Sequence, residues 1–139
     1  KTVTTSSANG LASSSQIDSD GNGGVDRLVR STKAINADGS TLETTETLSN
    51  AGTPLSKSVI TTSADIKTVT TEMDIDGDGK IDVRRLSIVN ANGSTTQTIS
   101  QFKPDGTLGS ASITEVSANG LSRKISTDAN GDGIYEDVT

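Results

Sequence analysis

The sequence predicts an all-β protein: an antiparallel meander with about four strands per unit of 54–56 residues, laid out as an elongated, repetitive sheet or a thin sandwich. Three observations predict it. Turn-forming residues recur every 12 to 16 positions, the segments between them are rich in Thr, Val and Ile, and no segment keeps an apolar i, i+3, i+4 stripe over three turns. β-Branched side chains are stiff about χ1 and pack well on a pleated surface, so they favour strand over helix.

In chain order the turn signals are Asn9-Gly10, a loop from Asp18, Asp38-Gly39, Asn50-Ala51-Gly52, Ala64-Asp65, a loop from Asp74, Asn92-Gly93, Pro104-Asp105-Gly106, Asn119-Gly120 and a loop from Asp128. Asn-Gly and Asp-Gly supply the positive-φ residues of two-residue hairpins, and tight hairpins are expected at these points. Between them, Leu55–Thr61, Lys67–Met73 and Ser94–Ser100 read as strands. Arg27, Arg30, Lys33, Arg84 and Arg85 read as solvated charges of edge strands that discourage sheet aggregation. No aromatic residue lies among them to stack a base, and a nucleic-acid partner is not expected.

The chain repeats itself. Ser7-Ala8-Asn9-Gly10-Leu11 returns as Ser117-Ala118-Asn119-Gly120-Leu121, with a degenerate copy at Ser63-Ala64-Asp65. Asp18, Asp74 and Asp128 keep the same step, as do Asp38-Gly39-Ser40 with Asn92-Gly93-Ser94 and Gly52-Thr53 with Gly106-Thr107. Self-similarity at such a period marks a tandem architecture. The units divide as a partial repeat over 1–26, a full repeat over 27–82 and a full repeat over 83–139, each ending in an acidic loop.

Composition narrows the chemistry. Only 29% of the 139 residues are hydrophobic and 1% aromatic, so any core is thin and aliphatic. Forty-one residues are Ser or Thr; in a sheet they would give hydroxyl-rich faces, and without the regular turns they would suit a disordered linker. There is no Cys and no His, which excludes disulfides, thiolate or imidazole metal sites and His-based acid–base or triad catalysis. Apolar runs fall far short of the roughly 20 residues a membrane helix needs, so no membrane insertion is expected. The chain starts at Lys1 with no apolar leader and reads as a fragment or processed product.

The net charge of -6 is unevenly spread. Eleven of the 18 acidic residues lie in three short segments that contain a single base, Lys80, while the remainder is slightly cationic. The segments are Asp18-Ser19-Asp20-Gly21-Asn22-Gly23-Gly24-Val25-Asp26, Asp74-Ile75-Asp76-Gly77-Asp78-Gly79-Lys80-Ile81-Asp82 and Asp128-Ala129-Asn130-Gly131-Asp132-Gly133-Ile134-Tyr135-Glu136, the third cluster extending to Asp137. Carboxylates at every second residue repel one another and call for a counter-cation. A solvated acidic turn is the plain alternative, but it would not repeat its spacing three times.

Each segment offers side-chain oxygens at positions 1, 3, 5 and 9, a Gly at 6 and an apolar residue at 8. That spacing wraps hard oxygens around calcium in EF-hand loops, where the position 7 carbonyl adds a ligand. The candidate ligands are therefore Asp18, Asp20, Asn22, Asp26 and the carbonyl of Gly24; Asp74, Asp76, Asp78, Asp82 and the carbonyl of Lys80; and Asp128, Asn130, Asp132, Glu136 and the carbonyl of Ile134. Val25, Ile81 and Tyr135 are expected to face the core. Magnesium demands near-octahedral geometry and zinc lacks its usual ligands here, which leaves calcium as the expected cofactor.

The likeness to an EF-hand ends after nine residues, because Val29, Arg85 and Thr139 stand where the bidentate Glu of position 12 belongs and no amphipathic helix flanks a loop. The loops resemble the shortened D-x-D-x-D-G-x-x-D calcium loops of dockerins, thrombospondin type 3 repeats and bacterial exoproteins. Water, or Glu72, Asp65, Glu115 or Asp137, would then complete the shell. The whole unit, with its Ala-Asn/Asp-Gly-Ser, Gly-Thr and Ser-Ala-Asn-Gly-Leu turns and D-x-[DN]-G-[DN]-G loop, resembles the tandem repeats of giant bacterial secreted and surface proteins of the RTX-like adhesin class. It is unlike the nine-residue RTX β-roll. The resemblance implies an extracellular or cell-surface, calcium-stabilised, non-catalytic repeat of an adhesin, stalk or filament, whose partners are calcium and neighbouring repeats of the same or identical chains. The alternative is a calcium-dependent module binding carbohydrate or another surface, against which the near-absence of aromatic platforms weighs.

Overall fold

The computed structural model describes residues 1–138, and all of its regular structure is β. Eleven strands follow one another: β1 Thr2–Ser6, β2 Ala12–Ile17, β3 Arg27–Ile35, β4 Thr41–Ser49, β5 Pro54–Thr62, β6 Thr68–Asp74, β7 Val83–Val89, β8 Thr95–Phe102, β9 Leu108–Val116, β10 Arg123–Asp128 and β11 Asp137–Val138. They form one open sheet in sequence order, every neighbouring pair antiparallel. The four strands β3–β6 begin at 27, 41, 54 and 68, and β7–β10 begin at 83, 95, 108 and 123, so the four-strand pattern read from the turns is present. Each strand packs only against its neighbours in sequence, so the sheet has a single layer and the sandwich option falls away.

A single layer has no room for a core. Among the described residues only Leu48 and Ala111 are buried hydrophobics. Stability has to come from the ladder and from pairs across it. Four ion pairs join residues directly opposite one another: Lys33 with Glu43 (2.6 Å), Lys57 with Glu46 (3.0 Å), Arg84 with Glu72 (2.7 Å) and Lys124 with Glu115 (3.8 Å). All are substantially exposed, and each contributes about 0.5 kcal/mol or less. Hydroxyl pairs do the same work, as in Thr4 with Ser15 (2.8 Å) and Ser31 with Thr45 (3.0 Å). Arg84 also lies 5.7 Å from the Phe102 ring centroid, so one guanidinium links β6, β7 and β8.

Two expectations need correcting. The basic residues Arg27, Arg30, Lys33, Arg84 and Arg85 sit on β3 and β7, which are interior strands; Lys33 and Arg84 serve as cross-strand partners instead of edge protection. The hairpins are also longer than two residues. Those closed by Asn36–Ser40, Ser49–Thr53, Asn90–Ser94 and Lys103–Thr107 have three-residue loops, and those closed by Ser7–Ala12, Ser63–Thr68 and Ser117–Ser122 have four. Only the glycine of each Asn-Gly or Asp-Gly pair takes a positive φ, as at Gly39 (86°) and Gly93 (83°). This is a type I turn followed by a left-handed residue, and Asn or Asp holds it by accepting bonds from two residues on.

One turn breaks the rule. Ile66 occupies the place of Gly10 and Gly120 and has φ 55°, the only positive φ at a non-glycine residue among those described. A β-branched residue in the left-handed region carries roughly 1–2 kcal/mol of strain. Ile66 is 77% exposed, so packing offsets little of it. Ile66→Gly is therefore expected to raise stability by about 1 kcal/mol, the gain reduced by the entropy of glycine. A urea midpoint that stays put or falls would contradict this.

The Asx-type turns built on Asp carry a pH signature. Asp38, Asp65 and Asp105 are held below the ordinary carboxylate range, first by the hydroxyls of Ser40, Ser63 and Thr107 and then by the backbone N–H groups of Ser40, Lys67 and Thr107. A carboxylate depressed by folding contributes stability that is present above its unfolded pKa of about 3.9 and lost as pH falls through the folded value. Asn92 makes the same bonds as Asp38, to the N–H (3.0 Å) and hydroxyl (2.7 Å) of Ser94, without a titrating group. The triple change Asp38→Asn, Asp65→Asn and Asp105→Asn should thus lower the melting midpoint at pH 7 modestly, by the charge-assisted part of these bonds, and lessen its fall below about pH 4.

Candidate metal centres

The acidic loops join β2 to β3, β6 to β7 and β10 to β11, each four strands after the last. In a meander every second connection falls on the same long side of the sheet. All three loops therefore line one side, together with the β4–β5 and β8–β9 turns.

Position 1 of each loop closes its strand and organises the residues after it. The two oxygens of Asp18 accept bonds from Gly21 N–H (2.6 Å) and Gly23 N–H (3.1 Å); Asp74 does the same with Gly77 (2.6 Å) and Gly79 (2.9 Å), and Asp128 with Gly131 (2.7 Å) and Gly133 (3.0 Å). The glycines at positions 4 and 6 all have φ between 77° and 89°, which is why the chain can turn twice within three residues. Position 3 accepts from the N–H of position 5, and position 5 from that of position 7, as with Asp76 to Asp78 (3.1 Å) and Asp78 to Lys80 (2.7 Å). Position 9 folds back: Asp26, Asp82 and Glu136 accept from the N–H of Ser19 (2.7 Å), Ile75 (2.7 Å) and Ala129 (2.9 Å). The result is one hydrogen-bond scheme repeated on three loops, with the side-chain oxygens gathered over the loop backbone.

Within each loop three carboxylates come together: one oxygen from each of Asp18, Asp20 and Asp26 lies within 4.8 Å of the others, and the same holds for Asp74, Asp76 and Asp78 and for Asp128, Asp132 and Glu136. These three groups could hold a metal ion. Asp82 is not in the second trio. Asn22 and Asn130 turn their amide oxygens to the N–H of Gly24 (2.6 Å) and Asp132 (2.9 Å). Gly24, Lys80 and Ile134 sit at position 7 with N–H groups donated to position 5, at 2.6, 2.7 and 2.8 Å. Burial of the first carboxylate differs: Asp18 and Asp74 are each 9% exposed and Asp128 only 1%. Facing Asp74 across the ladder is Lys57, whereas Asp128 faces the small, buried Ala111. Partial desolvation pushes the Asp18 carboxyl up, but the bonds from Gly21 and Gly23, with the terminal ammonium and Asp20, bring it below the ordinary value.

Other expectations meet the geometry unevenly. Asp65, in the β5–β6 turn, and Glu115, near the end of β9, lie on the side of the sheet away from the acidic loops and so cannot complete a shell there. Glu72 is held by Arg84, whose Nε and Nη2 both reach its Oε1. Val29 and Arg85 lie inside β3 and β7, so after position 9 the chain runs straight into a strand. Thr139, and the side chain of Asp137, lie outside the described part. Val25 is exposed, and Ile81 and Tyr135 are half-buried, because a single-layer sheet has no core for position 8 to enter.

A bracing contact escaped the sequence reading. β5 and β9 each carry an extra residue near their start, Leu55 opposite Thr47/Leu48 and Gly109 opposite Gln101/Phe102. The second and third loops lie against these bulges: a Cβ on Gly77 would stand 2.5 Å from the Pro54 carbonyl oxygen, and one on Gly131 would overlap the Leu108 carbonyl more closely still. Gly21 has no such neighbour: nothing stands within 4 Å of a Cβ placed on it. No sequence signal singles this contact out, since Gly stands at position 4 of all three loops, including the one with no bulge beside it. No family model matches the chain, and neither a curated protein nor a solved structure matches it at a significant level.

Proposed function

We propose that the chain is a calcium-stabilised, non-catalytic structural segment of an extracellular bacterial adhesin, stalk or filament. The observation that carries this reading is the recurrence of one carboxylate loop every four strands along one side of a single-layer sheet. Calcium is the cation of choice because the donors are all hard oxygens on a flexible loop, with no His or Cys in the chain. Extracellular modules of this kind bind calcium with Kd of about 10⁻⁴ to 10⁻³ M, matched to external fluid and useless in cytosol. The sheet extends by adding units at its end, each touching only the one before, which suits a spacer and not a pocket. The partners are calcium and neighbouring repeats.

Four strands at about 4.8 Å advance the sheet about 19 Å per unit. Small-angle scattering on chains of two, four and six units is expected to show a maximum dimension that grows linearly by that step with calcium present, and a looser particle once it is chelated. A radius of gyration growing as for a compact globule, or indifferent to calcium, rules out the stalk.

A further inference from the structure

The second and third acidic loops are joined by a path of contacts that the first loop lacks. Lys80, at position 7 of the second loop, sends its ammonium to the carbonyl of Pro104 in the β8–β9 turn, and the same ammonium stands 3.7 Å from Asp78 Oδ2. That turn is closed by Lys103 N–H to the Thr107 carbonyl (2.8 Å) and by Thr107 on Asp105, at 2.9 Å from its N–H and 2.6 Å from its hydroxyl. These bonds brace the turn internally. It runs directly into Leu108 and Gly109, the bulge against which Gly131 of the third loop rests. Gly131 in turn donates to Asp128, the most buried side chain described. In the first loop position 7 is Gly24, which has no side chain to reach the β4–β5 turn.

We propose that the second and third loops are conformationally coupled through the β8–β9 turn, with Lys80 as the positioning residue, and that the first loop is independent of both. The direction comes from the shared ammonium. Anything that draws the Asp78 carboxylate inward frees Lys80 to bind Pro104 alone, which steadies the turn and with it the seat of Gly131; order in one loop favours order in the other. The tether itself stands without any metal. Its consequence for calcium, that the second and third sites fill cooperatively and the first alone, rests on the reading proposed above.

Two arms test it. In the metal-free chain, Lys80→Ala is expected to speed amide exchange at Gly131 and Gly133 by about fivefold or more, the lower range of typical coupling, with Gly21 and Gly23 unchanged and Lys80→Arg restoring most of the protection. Unchanged exchange in the third loop, or an equal rise in the first, overturns the tether. In calcium titrations the natural chain should show two cooperative sites and one independent site, and Lys80→Ala three independent sites. Three independent sites in the natural chain overturn the coupling, whereas an absence of calcium binding sinks the metal reading and leaves the exchange result to judge the tether.

Discussion

Chelation of calcium with EGTA is expected to lower the melting midpoint of this chain by about 15 °C. At a Kd of about 10⁻⁴ M and about 1 mM calcium each site adds about 1.4 kcal/mol, and three sites add about 4 kcal/mol. For a chain of this length 1 kcal/mol moves the midpoint by roughly 3–4 °C. The effect is large because little else holds the fold: the sheet has one layer, two buried hydrophobic residues among those described, and exposed ion pairs. Without a cation, each group of three carboxylates within 4.8 Å of one another is a source of repulsion. Differential scanning calorimetry with calcium, with magnesium and with EGTA gives the answer. Equal midpoints in calcium and EGTA would remove calcium from the account, and equal midpoints in calcium and magnesium would remove its selectivity.

Gly131→Ala is expected to cost about 3 kcal/mol or more, and Gly77→Ala nearly as much. Two penalties add there. Each glycine has a positive φ, 78° and 80°, worth about 1–2 kcal/mol against alanine, and each would drive its new methyl into the backbone of a bulge, an overpacking that typically costs about 1–3 kcal/mol. Gly21 and Gly120 have φ of 77° and 72° with nothing within 4 Å of the added methyl. Gly21→Ala and Gly120→Ala should therefore lose only the conformational part, about 1 kcal/mol. Urea unfolding of the four variants separates the terms. Equal losses at all four positions would mean that the loops do not rest on the bulges.

The architecture was legible to the extent that it is local. Thr, Val and Ile between regularly spaced Asn-Gly and Asp-Gly pairs determined strands and turns, because β-branched stiffness and the left-handed tolerance of glycine act within a few residues. The internal repeat determined that these strands come four to a unit. The three loops were legible for the same reason: the hydrogen bonds to their side-chain oxygens run between residues two to seven apart in sequence, so the spacing of Asp18, Asp20 and Asp26, or of Asp128, Asp132 and Glu136, already places the carboxylates together.

What lies between distant residues was decided only by the folded sheet. Whether the strands form one layer or two depends on contacts between faces, and weakly alternating Ser and Thr carry no pattern that selects either; the structure has one layer, and Val25 stays exposed as a result. Register decided that Lys33, Lys57 and Arg84 meet carboxylates directly opposite, a pairing that a shift of one residue would destroy. The alternation of a meander sent Asp65 and Glu115 to the far side from the loops. The bulges at Leu55 and Gly109 arise from a one-residue mismatch between paired strands, and their contact with Gly77 and Gly131 spans more than twenty residues of sequence. Local chemistry built the loops; the sheet decided what each one leans on.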